Sequence, residues 1–450
     1  MHPNGNSDEK HEAFDKLEGA PPSPSDCSID KTTPPVTLVT IPPPVQDGGT
    51  RAWLQVLGSF LVFCNLWGFT FAFGSFQSYY ELTYLRDESP SDISWIGTLS
   101  AFLLICVGII SGPLFDLGYF QVMLLTGACV ETLGVFLLSL SSSYYQILLT
   151  QGVMIGLGNG LLYLPGLALV GRSFKKHRSI AMSFVTCGAP VGGIVFTVMF
   201  QQLIDTLGFA WTVRAQAFLM LGAYLLAFPL LLWRAHNLGD LASGTARKLF
   251  DRTAFTDLPF WAYSMSNFFL FVGYMVPFTY MAVYGQTQLG MSQSMSLNVI
   301  IIAQAASVLG RLVTGYTASK VGVMLPWSLC GLISGIMCLA WNGVHSEASF
   351  IALMTLYGFS SGGLIPLPPS AFPRVCTDPR VLGARLGMAQ GIGSVASLIG
   401  SPIAGALVGV AGGGYLGLQL FSGLVMILGA SGVIFLWTLL VKRGDSGKYV

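Results

Sequence analysis

The sequence predicts an all-α membrane protein: twelve transmembrane helices in two six-helix, pseudo-symmetric halves. Three observations predict it. Only 10% of the 450 residues are Asp, Glu, Lys or Arg and 53% are hydrophobic, whereas a soluble domain carries about 25% charged residues. The few charges are spaced so that long charge-free stretches lie between them. The basic residues also gather in alternate gaps between those stretches, as they do in membrane proteins.

A crossing of about 30 Å of hydrocarbon takes about 20 residues. Stretches without Asp, Glu, Lys or Arg run 52–80, 93–115, 132–171, 179–204, 215–233, 258–310, 321–346, 348–373 and 386–441. The stretch 258–310 holds two spans around the polar break Gly285–Ser294, and 386–441 holds two around Gly409–Tyr415. A further span at about 120–140 is interrupted only by Glu131, and 145–168 counts separately, which brings the total to twelve. Short loops and tails use the rest, so no soluble domain of ordinary size fits beside them.

The domain reading follows. Residues 1–50 hold nine prolines and eight acids against three lysines, too little apolar surface to fold. They read as a disordered cytoplasmic tail, and without an apolar core behind a basic start they are not a signal peptide. Residues 51–233 form the N-terminal six-helix half, 234–257 a cytoplasmic central loop, 258–441 the C-terminal half and 442–450 a cytoplasmic tail. With both tails inside, 19 of the 22 Lys and Arg fall on inner segments, leaving only Arg86, Arg214 and Arg311 elsewhere. The expected location is the plasma membrane, with a vacuolar or other internal membrane as the alternative. The net charge of +1 offers no basic face to nucleic acid. No cofactor or metal is expected: the five histidines lie outside the spans, and the eight cysteines are scattered without zinc or redox spacing.

An internal repeat supports the two halves. An offset of 203 places Gly112 on Gly315 and Gly188 on Gly391. Two related halves around a midplane cavity is the logic of secondary transporters. Gly112-Pro-Leu-Phe-Asp116-Leu-Gly118 joins spans two and three, and Gly315 to Gly322 follows span eight with Lys320 near its end. Glycines there let helices approach, and the acid can pair with a helix N-terminus or a base; a plain tight turn is the other reading. This loop resembles the major facilitator superfamily signature Gly-x-x-x-Asp-Arg-x-Gly. The resemblance implies that fold, with the loop acting as a conformational latch.

Two further segments narrow the resemblance. Phe174-Lys175-Lys176-His177-Arg178-Ser-Ile-Ala-Met182 precedes a span with Gly188, Pro190, Gly192 and Gly193, and Asp47-Gly-Gly-Thr-Arg-Ala-Trp53 precedes span one. Both are similar to signatures of the monocarboxylate porter family in its fungal branch. Met182 replaces a glycine of the family pattern, and His177 interrupts its basic pair. Without the family, Lys175, Lys176 and Arg178 suffice as an inner, lipid-facing loop, and the glycines let backbones approach while Pro190 can kink the helix.

Ionisable residues at membrane depth are functional candidates. Arg311 lies in span eight, where the resembling family binds an anion; Ser307 and Ser75 stand at the positions of that family's Asp and Lys. Snorkelling of Arg311 to the inner interface is the alternative. Glu131, midway along span three, is the candidate for proton coupling, against a hydrogen-bonded structural acid. Arg214 reads as an outer gate. Asn65, Ser75, Asn159, Tyr263, Asn267, Tyr274, Gln304, Tyr357, Ser360 and Gln390 are the polar candidates for the substrate pathway, against plain interhelical hydrogen bonding. As a set they favour a bulky, amphipathic substrate.

The expected function is secondary active transport by alternating access, moving an organic acid or exporting a secondary metabolite. Its partners would be a small-molecule substrate, the lipid bilayer and, as a candidate, protons. Import of a small monocarboxylate or vitamin-like metabolite is the alternative; a receptor or polytopic enzyme is a remote one, since no nucleophile with a base and no paired intramembrane carboxylates are present.

Overall fold

The computed structural model describes residues 49–174, 178–235, 250–408 and 414–443, apart from the side chains of 116, 168, 171–173, 178, 179, 233–235, 379 and 380. Residues 1–48 and 444–450 of the expected tails, Lys175, Lys176, the side chains of Asp116 and Arg178, and most of the central loop fall outside that description.

Eleven helices among these residues are long and apolar enough to span a membrane. One of them, Ile180–Leu232, has 53 residues, about twice what one crossing needs. It breaks at Gly208, whose φ of 72° and ψ of 174° leave the helical region. We therefore number twelve crossings: α1 (Thr50–Tyr84), α2 (Pro90–Phe115), α3 (Phe120–Leu138), α4 (Tyr144–Leu167), α5 (180–207), α6 (209–232), α7 (Leu258–Gln288), α8 (Gln293–Val321), α9 (Met324–Gly343), α10 (Glu347–Val375), α11 (Val381–Ala406) and α12 (Leu416–Lys442). "Inner" denotes the end where the central segment attaches. Pro190 lies inside α5 without leaving helical geometry, and the break falls at Gly208, between the charge-free stretches 179–204 and 215–233.

The two halves repeat in structure as well as in sequence. Ser89 caps α2 by accepting from the Asp92 amide at 3.1 Å, and Ser292, 203 residues on, caps α8 by accepting from the Met295 amide at 3.2 Å. Such caps satisfy orphan amides that hydrocarbon cannot. At the other ends, Gly118 (φ 92°) follows α2 and Gly322 (φ 90°) follows α8, a left-handed turn that glycine enters without strain. The packing repeats too. In the first half α1 packs on α5, α2 on α4, and α3 on α4 and α6. In the second, α7 packs on α11, α8 on α10, and α9 on α10 and α12. The halves meet through α2 against α11 and α5 against α8, a pair that exchanges under the same six-helix shift.

Glycine sets the helix spacing inside each half. A Cβ on Gly192 would lie 2.0 Å from the Cys64 carbonyl oxygen of α1, and one on Gly188 would lie 2.5 Å from that of Phe60. In the second half a Cβ added to Gly310 would overlap the Phe359 carbonyl oxygen, and one added to Gly358 would overlap that of Ala303. Lipid gives helices no hydrophobic reason to associate, so this close approach carries the packing. At the inner end, Arg385 at the start of α11 donates to Asp251 and Asp257, each at 2.7 Å. It thereby ties the segment before α7 to α11.

Two outcomes follow. Gly192→Ala should destabilise the folded protein by about 1–3 kcal/mol through overpacking, whereas Gly222→Ala, with nothing within 4 Å of the added carbon, should leave the detergent melting temperature unchanged. The hydrogen bond from Arg385 holds the Asp251 carboxyl below its ordinary range. Its contribution is therefore present above that range and lost as pH falls through the depressed value. The penalty of Asp251→Asn, followed by thermal melting across pH, should be full at neutrality and shrink in acid.

Candidate functional site

Arg311 is completely buried. Gly310 and Gly362 press its helix against α10, which turns the guanidinium the other way, towards the opposite half. There Nη1 donates to the Thr186 carbonyl of α5, and the cation lies 5.7 Å from the Phe71 ring of α1. The Tyr274 hydroxyl of α7 is beside it, but that oxygen and the Nε and Nη2 of Arg311 have no partner in hydrogen-bond geometry. Snorkelling to lipid does not describe this side chain. Ser307 lies against Gly362 of α10, its hydroxyl unpartnered.

Helical spacing extends the cluster. Gln304 precedes Arg311 by two turns on α8, and Asn267 precedes Tyr274 by two turns on α7, so each pair shares a face. Gln304 lies near Gly193 of α5 across the interface, and Asn267 near Gly393 of α11. The Nε2 of Gln304 and both amide atoms of Asn267 are buried without partners. Gln390 approaches Gly393 from the same helix and is half-buried. The rings of Phe71, Tyr274 and Phe278 lie 5.7–6.3 Å apart and wall the cluster. On its outer side Thr70, Phe73, Thr98, Met275 and Ser401 help close a cavity of only about 20 Å³, space for about one water.

Of the other pathway candidates, Tyr357 borders this place, its ring 5.6 Å from that of Phe278, and the rest lie elsewhere. Asn65 donates to the Met220 carbonyl of α6 at 3.1 Å, and Ser75 to Thr197 of α5 at 3.4 Å; both bonds stay inside the first half. Asn159, with its amide oriented to donate, bonds the two Glu131 oxygens at 2.9 and 3.1 Å. Tyr224 of α6 also donates to Glu131. Glu131 is thus a fully buried acid held by donors from α4 and α6. In the second half, Tyr263 packs on Trp327 and Phe372, and the Tyr357 hydroxyl donates to the Tyr274 carbonyl at 2.6 Å. Ser360 bonds Ser334 at 2.9 Å and opens on a lateral groove of about 550 Å³ between α8, α9 and α10, which Lys320 also lines. Gly315 abuts Ser183 of α5 across the interface, whereas Gly112 lies in α2.

At the outer end the halves are joined by hydrogen bonds that the sequence reading missed. Ser91 donates to the Pro402 carbonyl at 2.9 Å, Gln286 to Ser78 at 2.7 Å and Gln201 to Ser294 at 2.6 Å. Tyr280 of α7 reaches the Pro90 carbonyl at 3.2 Å. The polar residues bounding the first charge-free stretch were the available signal. Arg214 is not in this seal: its Nε donates to Ser139 at 3.1 Å.

Two bundles related by a six-helix shift, meeting at a buried polar cluster and sealed at one end, are the architecture of a membrane carrier. The Major Facilitator Superfamily model matches residues 56–372, and the chain belongs to that family. It is 35% identical to the MFS-type transporter pynF of Aspergillus niger over 86% of this chain and 89% of that one. It is 36% identical to the aspyridones efflux protein apdF of Emericella nidulans, over 90% of this chain and 81% of that one. It is 35% identical to the agnestins efflux protein AgnL12 of Paecilomyces divaricatus, over 89% and 90%. The chain is a multi-pass membrane transporter and not an enzyme.

The Glu131 cluster makes a testable distinction. Glu131→Gln keeps one acceptor oxygen for Tyr224 or Asn159. If the acid serves structure, the variant should retain counterflow and pH-driven flux in proportion to its expression. Loss of pH-driven flux with counterflow intact would instead assign the proton to Glu131.

Proposed function

We propose that this carrier exports an acidic, aromatic-bearing small metabolite from the cytoplasm by alternating access, with both tails cytoplasmic and the protein in the plasma membrane. One observation carries the reading. Arg311 Nε and Nη2 and Gln304 Nε2 are buried donors without acceptors at the junction of the halves, beside the unpartnered Tyr274 hydroxyl and Asn267 amide. Unmade buried bonds of this kind are costly, and a charged donor costs most. A carboxylate or similar acid accepted by the guanidinium fork would offset that cost, and the Phe71, Tyr274 and Phe278 rings would take its aromatic body. Relatives whose names give efflux of aspyridones and of agnestins support export of a secondary metabolite.

The fungal monocarboxylate porter resemblance fits an acidic cargo. Import of a small monocarboxylate is the weaker reading, because Ser75 and Ser307 stand where that chemistry would have a base and an acid.

The test is counterflow of a panel of aromatic carboxylic acids in proteoliposomes. An ammonium does not reproduce the planar fork, so Arg311→Lys should raise the apparent KM for transported acids about tenfold, the loss of one charge-assisted bond. Neutral amides of the same acids should be poor substrates of the wild type. Wild-type kinetics for Arg311→Lys at normal surface expression would overturn the anion-contact role.

A further inference from the structure

We infer that Glu81 is a proton-binding site built into the outer seal, and that a proton taken up there holds the two halves closed on that side.

Glu81 lies in the π-helical turn Tyr80–Tyr84 that ends α1 and is half-buried. Its carboxylate accepts a hydrogen bond from Gln77 Nε2, one turn back. The same nitrogen donates to the Pro90 carbonyl at 3.2 Å, the oxygen that Tyr280 reaches from the second half. The carboxylate is therefore one residue removed from the contact that joins the halves. Tyr280 of α7 and Tyr415 before α12 face it from the second half. Among the described residues no ion pair includes it. The arginines of this end are engaged elsewhere, Arg86 on the Leu82 carbonyl at 2.7 Å and Arg214 on Ser139.

The second observation is an empty acceptor. Gln77 is fully buried, and its Oε1 has no donor. An ionised carboxylate cannot supply one, because it only accepts. A protonated Glu81 can turn its O–H to that oxygen while Gln77 Nε2 keeps Pro90. The proton thus completes the hydrogen bonding of the closed seal. When the halves part at this end, water satisfies Gln77 Oε1 and hydrates the carboxylate, and the proton loses that role. Proton binding then favours closure, and by reciprocity closure favours proton binding. Half-burial leaves the proton a route to outer water. The link between proton and seal stands on this geometry alone. Only its use depends on the export reading: after cargo leaves on the outer side, an incoming proton closes that side and returns the empty carrier.

Spin labels at Ser142→Cys and Gln293→Cys, exposed outer positions in opposite halves, report opening of the seal. The full chain, with its native cysteines replaced, is measured in nanodiscs without any substrate. As the pH is lowered from about 8 to about 4, a range that reaches the ordinary carboxylate values of folded proteins, the wild-type distance distribution should shift to its short component. Glu81→Gln, whose amide can donate to Gln77 Oε1 at every pH, should remain short throughout. Gln77→Met, which removes the empty acceptor but keeps the acid, should lose the pH response. A wild-type distribution that ignores pH would overturn the proposal, as would a wild-type-like pH shift in Glu81→Gln or in Gln77→Met. Failure of the export reading would appear elsewhere, as absent counterflow with the pH-dependent seal intact.

Discussion

Backbone contact at glycine is the constraint on which the rest of this molecule depends. In hydrocarbon, two helices gain nothing from hiding leucines from each other, because lipid solvates leucine as well. What remains is close packing. Gly192 against Cys64, Gly310 against Phe359, Gly358 against Ala303 and Gly400 against Val272 each bring a helix onto the backbone of its neighbour. All four contacts lie inside a half. They hold each bundle together, and across the plane between the bundles Gly74 of α1 makes the same kind of approach to the Phe278 carbonyl of α7.

Several buried polar groups inside the halves are supplied with partners. Inside the first half a potentially costly acid is supplied with donors: Glu131 receives Tyr224 and Asn159, and Asn65 is tied to α6. Inside the second, Tyr357 and Ser360 find partners on α7 and α9. At the plane between the bundles the accounting is open. Arg311, Gln304, Asn267 and Tyr274 all keep unpartnered atoms there. A satisfied network fixes one arrangement, whereas an unsatisfied one favours whatever completes it. Unpartnered buried atoms also occur inside the halves, at Tyr263 and Trp327 for example, but among the described residues only around Arg311 do they gather about a buried cation at the junction.

The sequence made the fold legible because bilayer thickness turns composition into geometry. Charge-free stretches became helices, and the offset of 203 reappears in the caps Ser89 and Ser292. The break at Gly208 was less visible, since nothing but Asp205 and Arg214 marks it and the helix resumes at once. The candidate site was legible only in part. Polarity on a span identifies a residue that must find a partner, but not whether that partner lies within its half or across the interface. Asn267, Tyr274, Gln304 and Arg311 share with Asn65, Asn159 and Tyr357 the same signal, a polar group among apolar neighbours. The direction each points depends on the glycines of adjacent helices. Gly310 turns Arg311 to the interface by occupying the opposite face of α8, a relation between two helices that one sequence does not state. Glu81 was hidden for another reason: it ends a charge-free stretch and so reads as a boundary, while the seal that surrounds it is made of serines, glutamines and carbonyls from α1, α2, α7 and α11.

These placements separate two electrostatic tasks along the molecular axis. Arg311, fully buried at the junction of the halves, presents a permanent positive charge, since a guanidinium does not lose its proton in a protein. In its proposed role, its demand for an acid is the same whichever side the carrier faces. Glu81, half-buried at one end, carries a charge that can be cancelled, and its surroundings differ between a sealed and an open end. A fixed charge suits selection of cargo because it does not depend on pH. A titratable one suits a step that must differ between the two faces of a membrane. Were the roles reversed, with a titratable group at the cargo site, affinity for an acid would change with the pH of each compartment, and proton and cargo would compete at one place. On the proposed roles, keeping them apart leaves proton and cargo to act at separate places, linked only through the bundles that join the outer seal to the junction around Arg311.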